Sequence, residues 1–230
     1  MAKKQVVVVG LGRFGSNVAR TLYQMGHDVL GLDTNERLVQ DVMSEVTYAV
    51  KGDATNENVL RELGVPNFDA AVVAIGSNVE ANIMSTVLLR SLGVPYVASR
   101  ARNQLHGQTL DRLGANQVVY PEREMGSRVA RSLFHPDVTE YMALAPGFGI
   151  SKIRSPEALQ GQTLKDAGLA GSRDKYSLFV LAIRRGKDLI LLPSEEERVQ
   201  QGDLLILANK DETLERLYQS STTKTEPEKP

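Results

Sequence analysis

Cysteine is absent from the chain, which excludes disulfides and thiolate metal sites. A reducing compartment fits that absence without being demanded by it. Histidine is scarce: His27, His106 and His135 are scattered and form no metal motif. No charge of one sign dominates either. Lysine and arginine total 27 against 28 aspartates and glutamates, a net charge of −1, which argues against the general basic face that nucleic-acid binding needs and leaves room only for a small local patch. No apolar run approaches the roughly 20 residues of a membrane helix. Met1-Ala2-Lys3-Lys4 leads straight into the first apolar stretch with no leader pattern before it. Attachment to a membrane is therefore expected to run through a partner. The apolar fraction of 42% and charged fraction of 24% are ordinary for a globular chain, and 230 residues suffice for one large domain or two small ones.

What is present is organised around residues 6–20. Val6 to Val9 reads as a strand buried on both faces, as in a parallel sheet. Gly10, Gly12 and Gly15 follow as G-x-G-x-x-G, and a helical pattern begins at once. In a dinucleotide-type fingerprint the first glycine makes the turn, the second admits a phosphate, and the third lets the helix pack on the strand. The phosphate then meets free N–H groups at the positive end of that helix. Asp33 lies eighteen residues past Gly15 at the end of a second apolar run, where a carboxylate takes the ribose hydroxyls; a glycine turn that holds nothing, with Asp33 capping the next helix, is the alternative. Arg13, between Gly12 and Phe14, points a guanidinium toward a di- or triphosphate; a solvated surface arginine is the alternative.

Strands are expected at 27–32, 46–50, 69–75, 94–99 and 117–120, with helices at 17–25, 35–44, 78–90 and 103–113 and one ending at Leu63. Asn56 or Thr55 caps that last helix. In the helix at 78–90, Val79, Ile83, Met84, Val87 and Leu88 form one apolar stripe. Strands separated by helices of this length imply parallel β-α-β units. The fold class is thus α/β, a doubly wound parallel Rossmann-like sheet over residues 1–120. A helix from Pro121 to Phe134 and a linker to 137 follow. Residues 138–219 read as a smaller, mostly antiparallel α+β domain, with a short helix at 163–169, a hairpin at Arg185-Gly186-Lys187 and a last helix at 211–218. Residues 220–230 are polar with two prolines and are expected to be disordered.

The strand ends of the first domain converge on one crevice. Besides the glycine loop and Asp33, its edges carry Asp53-Ala54-Thr55 and Ile75-Gly76-Ser77-Asn78. Asp53 and the backbone at Ala54 border the adenine and Ile75 packs on its face; a helix-start carboxylate and ordinary core are the alternatives for Asp53 and Ile75. A placed acid or base is missing. None of the seven tyrosines has a lysine four residues on, and there is no cysteine nucleophile. A nucleotide held without chemistry points to sensing. An NAD(H)-binding oxidoreductase with residues 138–218 as substrate domain is the competing reading.

The opening Val-Gly-Leu-Gly-Arg-Phe-Gly, the Gly52-Asp53-Ala54-Thr55 turn, Val73-Ala74-Ile75-Gly76 and Tyr120-Pro121-Glu122-Arg123 together resemble the domain that regulates potassium conductance, as in cytosolic subunits of Ktr/Trk potassium-uptake systems. Residues 159–164, 182–186 and 201–205 fall where the matching C-terminal domain places its motifs. The resemblance implies a non-enzymatic, cytoplasmic subunit, peripheral on the inner face of the membrane through a potassium transporter. It implies dimers assembled into an octameric ring whose shape differs between ATP and ADP. It carries Asp33 to the ribose, Arg13 to the terminal phosphate, Asp53 to the adenosine, and Glu122 to a Mg2+ or Ca2+ shared between subunits; a first-turn helix carboxylate is the plain alternative for Glu122. Met125, Val129 and Leu133 recur every four residues and would pack on a neighbouring subunit. Related C-terminal domains bind cyclic di-AMP, and Arg184 and Arg185 at the hairpin would be its cations; solvated hairpin arginines are the alternative.

Overall fold

A computed structural model of the chain describes residues 2–134, 137–170 and 178–210, together with 212, 213, 216 and 217. The chain divides into two compact units, Met1–Glu124 and Met125–Pro230. In the first, strands β1 (Gln5–Val9), β2 (Asp28–Asp33), β3 (Tyr48–Lys51), β4 (Ala70–Val73), β5 (Tyr96–Arg100) and β6 (Gln117–Val119) pair in the order β3-β2-β1-β4-β5-β6, and every neighbouring pair is parallel. Helices α1 (Arg13–Gln24), α2 (Glu36–Val42), α3 (Glu57–Glu62), α4 (Val79–Ser91) and α5 (Gln104–Arg112) make the crossovers. The valine run of β1 explains the layering. Val7 and Val9 join Leu60 and Leu89 in one core, while Val8 packs with Leu11, Ala19 and Val39 on the opposite face. A strand apolar at consecutive positions must be covered on both sides.

Two expectations are corrected here. Helix α1 begins at Arg13, four residues before Asn17: the carbonyl of Gly12 already accepts from the Ser16 N–H at 2.9 Å, so Arg13 and Phe14 belong to the helix. The buried face of α4 is not the apolar stripe. It consists of Asn82, Ser85, Thr86 and Leu89, while Met84 is exposed. The polar face is bonded in part, whereas Asn82 Oδ1 and Ser85 Oγ find no partner among the described residues. Asn82 Nδ2 donates to the carbonyls of Ile75 (2.9 Å) and Arg100 (3.2 Å), and the Thr86 and Ser99 hydroxyls lie 2.8 Å apart. Buried polar groups with partners cost little.

Helix α6 (Pro121–Phe134) runs across the division between the units. Met125, Val129 and Leu133 are exposed on it. In the second unit, β7 (Val138–Ala145) and β8 (Phe148–Arg154) form a hairpin longer than expected, joined at Gly147 (φ +71°). Strands β9 (Phe179–Arg185), β10 (Asp188–Leu191) and β11 (Leu204–Lys210) complete an antiparallel sheet in the order β10-β9-β11-β8-β7. Residues 163–169 make turns instead of a helix, with Thr163 bridged to Arg198; that bridge holds the chain extended where the helix was expected to start. Half of the helix expected at 211–218 and all of the tail at 220–230 fall outside the described residues. No described helix is long and apolar enough to cross a membrane.

The second unit is fixed by one buried ion pair. Asp203, 0% exposed, accepts a fork from Arg185, with Nε to Oδ1 at 3.0 Å and Nη2 to Oδ2 at 2.9 Å, and takes the Gln200 N–H at 2.8 Å. Arg185 also donates to Glu197 at 3.1 Å and to the carbonyl of Arg198 at 2.8 Å. These hydrogen bonds, above all those to Asp203, hold the guanidinium above its already high ordinary pKa. Arg185 is therefore an internal strut and not the ligand-facing cation expected of this hairpin; of the two arginines, Arg184 is the exposed one. Replacing Asp203 by Ala leaves Arg185 with Glu197 and removes its fork, and losing hydrogen bonds to a charged acceptor costs about 1.5–3 kcal/mol. Urea unfolding of Asp203→Ala should show a loss of that size, and Arg184→Ala should be close to neutral.

Candidate functional site

The sheet order reverses direction between β1 and β4. The connections leave their carboxyl ends in opposite directions along the sheet there, which is where open α/β sheets bind ligands. The loops leaving β1, β2, β3 and β4 enclose a crevice of about 840 Å3. Two backbone bonds prolong the ladder into its floor: Gly10 N–H to the Leu32 carbonyl at 2.8 Å, and Ala74 N–H to the Val9 carbonyl at 2.7 Å.

Each loop glycine has its own reason. Gly10 adopts φ +89°, which side chains rarely accept. A Cβ on Gly15 would sit 1.8 Å from the carbonyl oxygen of Gly10, so α1 can close on the loop only without one. Gly12 is different. Its backbone is ordinary (φ −63°), and a Cβ there would meet nothing within 4 Å. The fold does not require glycine at 12, and Gly12 lines the crevice. Helix α1 begins there with no side-chain cap and no acidic residue in its first turn, whereas α2 to α5 are each capped by an asparagine side chain.

Asp33 closes the opposite edge. Its Oδ2 accepts the Leu11 N–H at 2.6 Å and its Oδ1 the Asn35 N–H at 2.8 Å. One carboxylate thus ties the glycine loop to the turn after β2. Each oxygen keeps a further lone pair for an outside donor. Asp53 Oδ1 accepts from the N–H (2.9 Å) and hydroxyl (2.7 Å) of Thr55, and Asn56 caps α3.

Of the residues singled out in the sequence, Gly10, Gly12, Asp33, Asp53, Ala54, Thr55, Ile75, Gly76 and Ser77 all line the crevice. Arg13, Phe14 and Gly15 are not among its walls. Arg13 is exposed on the first turn of α1, Phe14 is half-buried, and Gly15 is buried beneath the loop. Glu122 borders an adjoining smaller cavity and is paired with Arg100. Asn78, placed on the crevice edge by the sequence, lines it as well, whereas sequence reasoning passed over Thr34, Asn35, Glu80, Met84 and Arg100, which also line the crevice. The signal for Arg100 was available: it is a charged residue following the buried run Val97-Ala98-Ser99 at the ligand-bearing edge of the sheet. Among the lining residues the ionisable side chains are Asp33, Asp53, Glu80 and Arg100, with no histidine, lysine, tyrosine or cysteine.

Residues 6–121 match the model of the TrkA-N domain, and residues 150–221 that of the TrkA-C domain. The chain is similar to Ktr system potassium uptake protein C of Bacillus subtilis, 38% identical over 89% of this chain and 91% of that protein. It is similar to Ktr system potassium uptake protein A of the same organism at 35% over 93% and 95%. Among solved structures, the GsuK RCK domain superposes with a TM-score of 0.63 at 21% identity, over 99% of this chain and 49% of that one; at that identity the likeness concerns the fold.

The Asp33 clamp has a consequence that needs no ligand. Asp33→Ala orphans the N–H groups of Leu11 and Asn35, and losing hydrogen bonds to a charged acceptor costs about 1.5–3 kcal/mol. Chemical denaturation of the ligand-free variant should register that loss. An unchanged midpoint would mean that the loop holds itself without the carboxylate.

Proposed function

As the chain belongs to the TrkA family of potassium-uptake proteins, we propose that it binds an adenosine nucleotide in the crevice of its first unit and uses the bound state to regulate a membrane potassium transporter. The observation that carries the nucleotide is Gly12. A glycine that the fold itself does not need, facing a crevice at an uncapped helix N-terminus, suits the close approach of a phosphate. Asp33 at the far edge suits the ribose hydroxyls. Asp53, Ala54 and Ile75 border the base. ATP and ADP are the ligands for which a change in terminal phosphate can act as a signal; NAD(H) shares the adenosine half and competes for the same site. The crevice wall carries no proton-transfer pair suited to hydride chemistry, which favours sensing over catalysis.

A regulator of this kind works as an assembly at the cytoplasmic face of the membrane, held there by its transporter. A ring of eight built from dimers would use the exposed Met125, Val129 and Leu133 of α6 as part of its contacts. A single chain does not build a cation site: among the described residues no three histidine, cysteine, aspartate or glutamate side chains cluster for a metal, and Glu122 is engaged by Arg100. Mg2+ or Ca2+ would need Glu122 from two copies, where the cation would offset their mutual repulsion. A cyclic di-AMP site on the second unit would have to rely on Arg184, since Arg185 is occupied.

Thermal-shift titration of the full chain with ATP, ADP, NAD and NADH tests the ligand. A nucleotide at 100 times its Kd should add about 2.7 kcal/mol of stability. Gly12→Ala, for which the fold has room, should hold the unliganded stability within about 1 kcal/mol and lose the nucleotide effect. Retention of full nucleotide stabilisation by Gly12→Ala would remove the phosphate from the loop. Potassium flux through the reconstituted transporter, with and without the chain and ATP, tests the regulatory half; flux indifferent to the chain would exclude it.

A further inference from the structure

Histidine is the side chain whose ordinary titration falls nearest neutrality. Of the two described histidines, His27 is half-buried and His106 is buried at 6% exposure, in the first turn of α5. The His106 ring is bonded on one side only. Its Nδ1 accepts the Arg102 N–H at 3.2 Å, while its buried Nε2 has no partner. A nitrogen that accepts carries no proton, so the neutral ring bears its proton on Nε2. Burial disfavours the charged ring and holds its pKa below the usual 6.5.

The surroundings offer a second proton no welcome. The first turn of a helix is its positive end, which disfavours a cation. Arg100 and Arg102 flank the turn before α5 with charge of the same sign. On the other elements packed against α5, the charged groups are Glu80 and Arg90 of α4, with Tyr120, Glu122 and Arg123 where β6 gives way to α6. Arg90 is bonded to Asn116, Glu122 to Arg100, and Arg123 lies over the Tyr120 ring at 4.1 Å. No carboxylate bonds to the His106 ring.

The bond to Arg102 sits in the turn that joins β5 to α5. Two further bonds hold that turn: the Ala101 N–H to the Val119 carbonyl at 2.8 Å, and Asn82 Nδ2 to the Arg100 carbonyl at 3.2 Å. Arg100 in turn walls the crevice. Its guanidinium fills the space a side chain at Gly76 would take, stands 6.0 Å from the centroid of the Phe14 ring and pairs with Glu122. The position of the turn therefore sets the position of this wall.

We propose that His106 is a proton-sensitive latch on the turn: the neutral ring holds the Arg102 N–H, and protonation at Nδ1 releases it and loosens the chain behind Arg100. Protonation puts an N–H where the acceptor stood, so that two donors face each other. It also leaves a buried charge without a partner. Protons thereby become an input to the crevice, received at a residue that is not one of its walls. The latch works with the crevice empty, so a nucleotide is not needed to test it. The folded ring resists the proton more than the unfolded chain does. Stability is then complete above about pH 6.5 and falls as pH drops below that value toward the lowered pKa.

Urea unfolding of the full chain from about pH 7.5 down to about pH 5 compares wild type with His106→Gln. A glutamine at the third position of a helix reaches back to an N–H before it and does not titrate. The two proteins should match at the upper end. Toward the lower end the wild-type folding constant should fall at least about twofold more than that of His106→Gln. His27 and His135 are common to both, so their titration cancels. In wild-type NMR spectra the His106 ring should titrate below the usual 6.5, and the Arg102 amide should lose hydrogen-exchange protection over the same interval while the amides of β1 keep theirs. Parallel pH profiles for the two proteins would overturn the latch. So would a ring that titrates at or above its usual value, or an Arg102 amide whose protection does not follow the ring. The wild-type spectra decide the matter even should His106→Gln fail to fold.

Discussion

Gly15 lies against the carbonyl of Gly10 with no room for a side chain between them, and the geometry of the crevice follows from that approach. With α1 seated so close, its first N–H groups are brought to the rim instead of being spent on a cap. The loop has a positive φ at Gly10, extended backbone at Gly12 and helix from Arg13 onward. Such a loop has few contacts of its own, so it needs an external tie. Asp33 supplies it through the Leu11 N–H. The same carboxylate that suits a ribose is therefore a structural member of the unliganded site. That double duty separates it from Asp53, whose bonds stay within its own turn.

The two units are stabilised by different means. The first depends on apolar strands covered on both faces, with β1 contributing to both cores. The second presents a single antiparallel sheet and anchors it with a charged strut, Arg185 on Asp203, at the edge of a core built from residues such as Ile153, Leu205 and Leu207. A forked, fully bonded pair in low dielectric fixes geometry more firmly than it adds net stability. It also removes a cation that the sequence alone made look available.

The parallel sheet was legible because its signals are local and redundant: buried valine runs, a glycine turn, and asparagines at helix starts. Most crevice residues were legible for the same reason, since they sit at strand ends whatever the side-chain details. What escaped depends on contacts distant in sequence. Arg100 matters because of Gly76, Phe14 and Glu122, and none of these is a neighbour in the chain. The stripe on α4 failed because apolar spacing says which face could be buried, whereas hydrogen-bonding partners on β5 and after β4 decided which face was. Arg13 was assigned to the loop because a motif marks spacing and does not mark where a helix begins.

Asn82 fastens the chain just after β4 to the end of β5 through the carbonyls of Ile75 and Arg100, using the two hydrogens of one amide. A single planar group of fixed size then sets how far apart these two rims can stand. The width of the site is consequently determined before any ligand arrives. Association in such a pre-organised cleft forfeits little conformational freedom. A larger share of the interaction free energy is then left to act elsewhere in the molecule.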